Sequence, residues 1–231
     1  MSLSRNVETV RSHIAEAAKK SGREAESITL VGVTKTIEPA RIKELIAAGV
    51  SDIGENKVQE FLPKYEELTE GDASACNWHF IGHLQRNKVK FIADKVCLIH
   101  SLDSLSLAEE INKRGEKLGK KINILIEVNI AEEPSKHGIS PNKVFEFAEM
   151  LVKMPFLSPT GLMCVAPFVS NQEENRVHFE RMRNLLVDIN RKCIYYEMSE
   201  LSMGMTLDYP VAIEEGATYV RVGTALFGSR S

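Results

Sequence analysis

Ile28-Thr29-Leu30-Val31-Gly32-Val33-Thr34-Lys35 is a run of seven residues suited to a buried strand, closed by a lysine. Strands of a parallel sheet are covered on both faces and read as near-continuous apolar runs, so a charge at the carboxyl end stands at the mouth of the sheet. Parallel α/β folds place their chemistry there. Desolvation favours the neutral form of a lysine amine, and that form attacks carbonyls to give a Schiff base. A solvated lysine at a strand end is the simpler reading of this stretch alone, since one strand does not define a pocket.

On the amino-terminal side, Val7, Val10, Ile14, Ala17 and Ala18 recur at helical spacing, which predicts an amphipathic helix over 5–20. On the other side, Pro39 starts a helix that carries Ile42, Leu45 and Ile46 and stops at Gly49. This βα unit recurs. Further strands are expected at Val50–Ile53, Trp78–Ile81, Val96–Ile99, Ile122–Val128, Thr160–Val165, within Tyr196–Met203, and at Thr218–Val222. Gly54-Glu55-Asn56 reads as a turn, Gly119 as the end of a helix over 102–118, and Ser140-Pro141 as a helix start. Eight strands alternating with helices, with no composition break, predict a single (β/α)8 barrel domain of the TIM type over 1–231 with an extra amino-terminal helix. The last strand is followed by too few residues for a full helix, and the amino-terminal helix is expected to cover that place. An open doubly wound sheet is the rival.

The 231 residues suffice for one large core, and the composition, 43% hydrophobic and 26% charged, is ordinary for a globular protein. A net charge of -3 argues against non-specific nucleic-acid binding and points to a small-molecule partner. Cys76, Cys97, Cys164 and Cys193 lie far apart with no C-x-x-C, and three of them sit in or beside apolar runs, as reduced core thiols do. No run approaches the length of a membrane span, and no signal core opens the chain. A cytoplasmic protein without membrane contact is the expectation.

The loops after strands seven and eight of such a barrel often form a phosphate site. Here they read Ser202-Met203-Gly204 and Gly223-Thr224. Glycine lets backbone amides approach a phosphate, and hydroxyls add donors. Each motif alone is an ordinary glycine turn; the two together, with a candidate Schiff-base lysine after strand one, shift the reading toward function. Arg221 stands inside the last strand, where a guanidinium needs either a structural salt bridge, for example to Glu127, or a ligand. Asn56 is a helix cap or a ligand donor. His79 and His83 have helical metal spacing but lie on a strand and its loop with no carboxylate or cysteine completing a site, so no metal is expected.

The chain resembles the pyridoxal phosphate homeostasis proteins, whose barrel is similar to the amino-terminal domain of bacterial alanine racemase (the type III fold of pyridoxal enzymes). The marks are Val31-Gly32-Val33-Thr34-Lys35, Gly54-Glu55-Asn56, His79 to Lys88, Ser135-Lys136-His137-Gly138, Leu201-Ser202-Met203-Gly204-Met205 and Arg221-Val222-Gly223-Thr224. The resemblance covers nearly the whole chain. It implies that Lys35 holds pyridoxal 5'-phosphate as a Schiff base, that Ser202, Gly204, Gly223 and Thr224 receive the phosphate, and that Asn56 helps to seat the ring. Arg221 would face the pyridine nitrogen and weaken the ring as an electron sink. Thr206 departs from the serine common in relatives, and Ala131 to Pro134 departs before Ser135; neither touches an expected cofactor contact.

The resemblance implies a cytoplasmic cofactor holder, a monomer or weak dimer, that makes transient contacts with apo-enzymes and has no strong catalysis or catalytic residue of its own. A racemase is the alternative. It needs a second acid/base opposite the lysine, which alanine racemase takes from a further domain of its partner subunit, and the expectation is that this chain has no segment left for one. A Schiff-base aldolase on phosphosugars is a third reading, and it leaves Arg221 unexplained. Lys136 is expected to be a solvated loop residue.

Overall fold

The computed structural model describes residues 2–69, 76–192, 195 and 197–228. Strand β1 (Thr29–Val33) pairs in parallel with β2 (Asp52–Glu55) on one side and with β8 (Tyr219–Val222) on the other. Between these, β3 (Asn77–Phe80), β4 (Leu98–Leu102), β5 (Ile122–Glu127), β6 (Leu157–Met163) and β7 (Glu200–Ser202) follow in chain order, and the ring closes. The β1–β8 pairing excludes the open sheet, which would leave two free edges.

Nine α-helices lie among the described residues: α1 (Leu3–Lys20), α2 (Pro39–Ala47), α3 (Val58–Thr69), α4 (Val89–Ile92), α5 (Leu105–Leu118), α6 (Val144–Leu151), α7 (Arg176–Lys192), α8 (Tyr209–Glu214) and α9 (Thr224–Phe227). Helix α1 buries Leu3, Val7, Val10, Ile14, Ala17 and Ala18, a single stripe at i, i+3, i+4 spacing. That stripe packs on α8 and α9, where a full-length eighth helix would otherwise lie, and Asn6 Nδ2 donates to Leu226 O at 2.8 Å. Gly119 ends α5 in the left-handed conformation (φ 64°), as its place in the sequence predicts.

Three strands run differently from the apolar pattern, each for a physical reason. Gly54 and Glu55 belong to β2 and not to a turn; a Cβ on Gly54 would meet Val31 at 2.9 Å, so this glycine serves close packing between strands. Strand β4 continues through His100 and Ser101, both fully buried, because polar partners await His100 inside the barrel. Strand β6 begins before Thr160 and carries Pro159, next to a register shift against β5 at Ile124/Leu125, where a missing N–H is tolerated. Cys164 is buried and Cys76 partly so, while Cys97 is exposed, against the expectation of a core thiol; Cys193 and Tyr196 lie outside the described residues. No helix among the described residues is long and apolar enough to cross a membrane.

Candidate ligand site at the barrel mouth

Lys35 is clamped by its neighbours while its own side chain is left to a cavity. Before it, the buried Thr34 donates its N–H to Gly54 O (3.0 Å) and its hydroxyl to Glu55 Oε1 (2.6 Å). Lys64, reaching in from α3, donates Nζ both to Thr34 O and to Glu55 Oε1, each at 2.7 Å. After it, Thr36 takes a left-handed conformation (φ 62°), and its N–H donates to Glu60 Oε2 at 2.7 Å. Burial raises the Glu55 carboxyl above its ordinary pKa against the pull of Lys64 and Thr34, which marks this ion pair as costly to leave half-made.

The cavity, of about 800 Å³, opens at the carboxyl ends of the strands; Lys35, Lys136, Thr206, Arg221, Gly223 and Thr224 are among its lining. Its volume falls in the range of small-molecule sites. Arg221 is buried, yet no carboxylate among the described residues lies within ion-pair distance of it. Nη1 donates to Ser202 Oγ (2.6 Å) and Nη2 to Cys164 O (2.8 Å), both neutral. Of the two alternatives for Arg221, the bridge to Glu127 is not formed; burial lowers the guanidinium's pKa, and Glu127 acts on it only at longer range.

Behind Arg221 a chain of hydrogen bonds crosses the barrel interior. Ser202 Oγ meets His100 Nδ1 (2.8 Å), His100 Nε2 meets His79 Nδ1 (2.9 Å), and His79 Nε2 meets Asp52 Oδ1 (3.0 Å). The two ends determine every proton when both rings are neutral. The Asp52 carboxylate only accepts, so His79 donates from Nε2 and accepts at Nδ1. His100 therefore donates from Nε2, Ser202 donates to His100 Nδ1, and Ser202 Oγ accepts from Arg221. All donors point from Arg221 toward Asp52. Burial holds His100 neutral, its pKa well below the ordinary histidine value, while bonding to His79, Asn77 and Ser51 outweighs burial and lowers that of Asp52.

The two glycine motifs have different tasks. Gly204 has φ 88°, and a Cβ there would meet Ala212 Cβ at 2.6 Å, so it is glycine for the sake of the turn onto α8. Gly223 has φ -117°, and a Cβ would make only an ordinary 3.5 Å contact with Val33. Neither a positive φ nor a close contact requires a glycine at 223, and the residue lines the cavity. Thr206 Oγ1 accepts the Gly223 N–H at 3.3 Å and joins the two loops.

Of the seven residues assigned from sequence, Lys35, Arg221, Gly223 and Thr224 share the cavity. Ser202 lies beneath it with its hydroxyl engaged by Arg221 and His100, and Gly204 is packed on α8. Asn56, at the end of β2, is outside the lining and holds a buried Oδ1 with no hydrogen-bond partner. His79 bonds to His100 and Asp52 inside the barrel, whereas His83 bonds to Asp103, so the carboxylate that the sequence does not show beside His83 is supplied by the next strand.

The alanine racemase N-terminal domain family matches residues 2–231. A pyridoxal phosphate homeostasis protein of Aquifex aeolicus is 44% identical over 221 residues, 96% of this chain and 95% of that protein. One of Escherichia coli K12 is 37% identical, with 99% and 97% covered. The chain belongs to the pyridoxal phosphate homeostasis protein family. Among solved structures, PipY of Synechococcus elongatus PCC7942 with PLP bound superposes at TM-score 0.86 with 31% identity, covering 98% of this chain and 100% of PipY.

For a member of this family, the sequence reading missed three features. Thr206 was noted only as a departure from serine, yet it lines the cavity. Lys136 is not a freely solvated loop residue: it lines the same cavity, with Nζ 2.9 Å from Glu133 Oε1 and 3.4 Å from Ala166 O. The Glu55–Lys64 pair was hidden because Glu55 read as a turn residue. Its signal was the lysine nine positions later on the inner face of an otherwise apolar helix stripe.

Proposed function

We propose that this chain binds pyridoxal 5'-phosphate through Lys35 and acts as a cytoplasmic holder that releases it to apo-enzymes. The observation that carries this reading is the sharing of one cavity by the Lys35 amine, the carboxylate-free guanidinium of Arg221 and the Gly223-Thr224 loop, which Thr206 joins through the Gly223 N–H. When bound, the cofactor supplies an aldehyde that condenses reversibly with an amine, and a phosphate dianion. Lys35 is the capturing amine, presented by the Thr34–Glu55–Lys64 and Thr36–Glu60 clamps. Gly223, Thr224 and Thr206 receive the phosphate, Gly223 because no Cβ fills its side of the cup. Ser202 serves by holding Arg221, Gly204 by turning the loop, and Asn56, outside the lining, by supporting the end of β2.

A holder is favoured over a racemase because the cavity lining, among the described residues, contains no tyrosine or histidine to act as a second base. The cation of Lys136 is engaged by Glu133. The test is transfer: protein loaded with pyridoxal phosphate, freed of unbound cofactor, is mixed with an apo-enzyme that requires it. Restored activity of the acceptor, with no D-alanine formed from L-alanine by the loaded protein alone, supports the holder. Racemisation at enzymatic rates without transfer would overturn it.

A further inference from the structure

We propose that His83, Asp103 and His137 form a site for a divalent cation of the zinc class at the barrel mouth. The three residues follow three consecutive strands: His83 in the loop after β3, Asp103 directly after β4, and His137 in the loop after β5. One ligand atom from each lies within 4.8 Å of the other two. His83 Nδ1 is 3.0 Å and His137 Nδ1 is 3.7 Å from the same oxygen, Asp103 Oδ2. The imidazoles stack with centroids 4.0 Å apart and planes at 13°.

A hydrogen bond to Asp103 accounts for the pose of His83 alone. Stacking on His83 brings in a second imidazole, too far for a hydrogen bond, with the same nitrogen toward the same oxygen. An imidazole binds a cation near its own plane, so a shared ion would take Asp103 Oδ2 and both Nδ1 atoms once the two rings turn out of their parallel stack. Ligands about 2.0–2.2 Å from zinc stand about 3.3–3.6 Å from one another in tetrahedral geometry, and the distances of 3.0 and 3.7 Å bracket that spacing. Two imidazoles with one carboxylate suit zinc and its late first-row neighbours, whereas calcium and magnesium prefer all-oxygen sets.

The ligands are held in different degrees. The Asp103 side chain is only 10% exposed, whereas His83 and His137 are 44% and 58% exposed, so a bound ion would keep open positions toward water. His137 sits on a preformed loop: Asn129 accepts the Glu133 N–H and donates to Glu133 O and Lys136 O. An ion there would pin this loop, which also carries Lys136 into the ligand cavity, to the ends of β3 and β4. Linear spacing could not reveal the site, because its carboxylate comes from the next strand and its second histidine from the one after.

The test is calorimetric titration of the full chain with zinc chloride alone, in a non-thiol reductant, beside cobalt(II) absorption to identify the ligands. One equivalent is expected, with d–d bands lacking thiolate charge transfer. His137→Ala, at an exposed position that leaves the fold intact, and Asp103→Asn should each weaken binding at least about tenfold, while Cys97→Ser leaves it unchanged. No binding by the wild-type chain would overturn the proposal. So would one equivalent that persists undiminished in both ligand variants, or thiolate bands, since the ion would then lie elsewhere.

Discussion

Glu127→Gln should stabilise the protein at alkaline pH and have little effect at acid pH. Glu127 closes β5 and is 8% exposed, and its carboxyl has no hydrogen bond among the described residues. Burial first and Asp103 second push its pKa from 4.5 up to about 7, opposed by Arg221. The folded state therefore holds this proton more tightly than the unfolded chain does. The group's favourable contribution is complete below the unfolded value of 4.5 and is lost as pH rises through about 7. At about 1.4 kcal/mol per pH unit, the interval between those values amounts to about 3 kcal/mol. A neutral glutamine escapes that loss. Urea unfolding, followed by the fluorescence of the single tryptophan, the buried Trp78, would measure both proteins. The stability difference in favour of the variant should grow by about 2–3 kcal/mol between about pH 5 and about pH 8. A difference that stays flat with pH, or favours the variant only in acid, would refute the reasoning.

Lys64→Met leaves Glu55 buried without its counter-charge and should cost about 3–5 kcal/mol in the same unfolding assay; a loss below about 1 kcal/mol would mean that the pair does not hold the Lys35 segment. Gly204→Ala and Gly223→Ala should separate packing from binding. The first should lower stability by about 2 kcal/mol or more, because an alanine is forced into left-handed backbone against Ala212. The second should leave the melting temperature nearly unchanged while weakening pyridoxal phosphate binding in a fluorescence titration, and equal binding by both proteins would count against the phosphate cup. Ser202→Ala removes the Arg221 acceptor and strands His100 Nδ1, for which calorimetry should read a loss of about 1–3 kcal/mol; a neutral effect would dismiss the hydrogen-bond chain as a stabilising feature.

What was legible in the sequence follows from where chemistry and packing coincide. The βα units were legible because parallel strands are apolar on both faces, but barrel closure depends on pairing Thr29–Gly32 with Tyr219–Val222, residues at opposite ends of the chain. Lys35 and Gly223-Thr224 were legible because they stand at strand ends, where a polar residue or a glycine has no packing reason. Ser202 and Gly204 belong to the same motif as Met205 and Thr206, yet only the latter two line the cavity; which members of a turn face the cavity depends on the left-handed Gly204 and not on residue type. The interior chain through His79, His100, Ser202 and Arg221 was not legible, since it joins β3, β4, β7 and β8 across the barrel. Polar residues inside strands looked like strand ends, which is why β4 was read short.

The central claim is that Lys35 is the amine that captures pyridoxal phosphate. It is tested most directly by adding the cofactor, reducing with borohydride and mapping the modified peptide by mass spectrometry, in the wild-type chain and in Lys35→Ala. The account predicts one stoichiometric adduct on Lys35, accompanied by a visible absorption band that the variant lacks. No adduct in the wild-type chain, or a stoichiometric adduct on Lys136 with Lys35 unmodified, would contradict it.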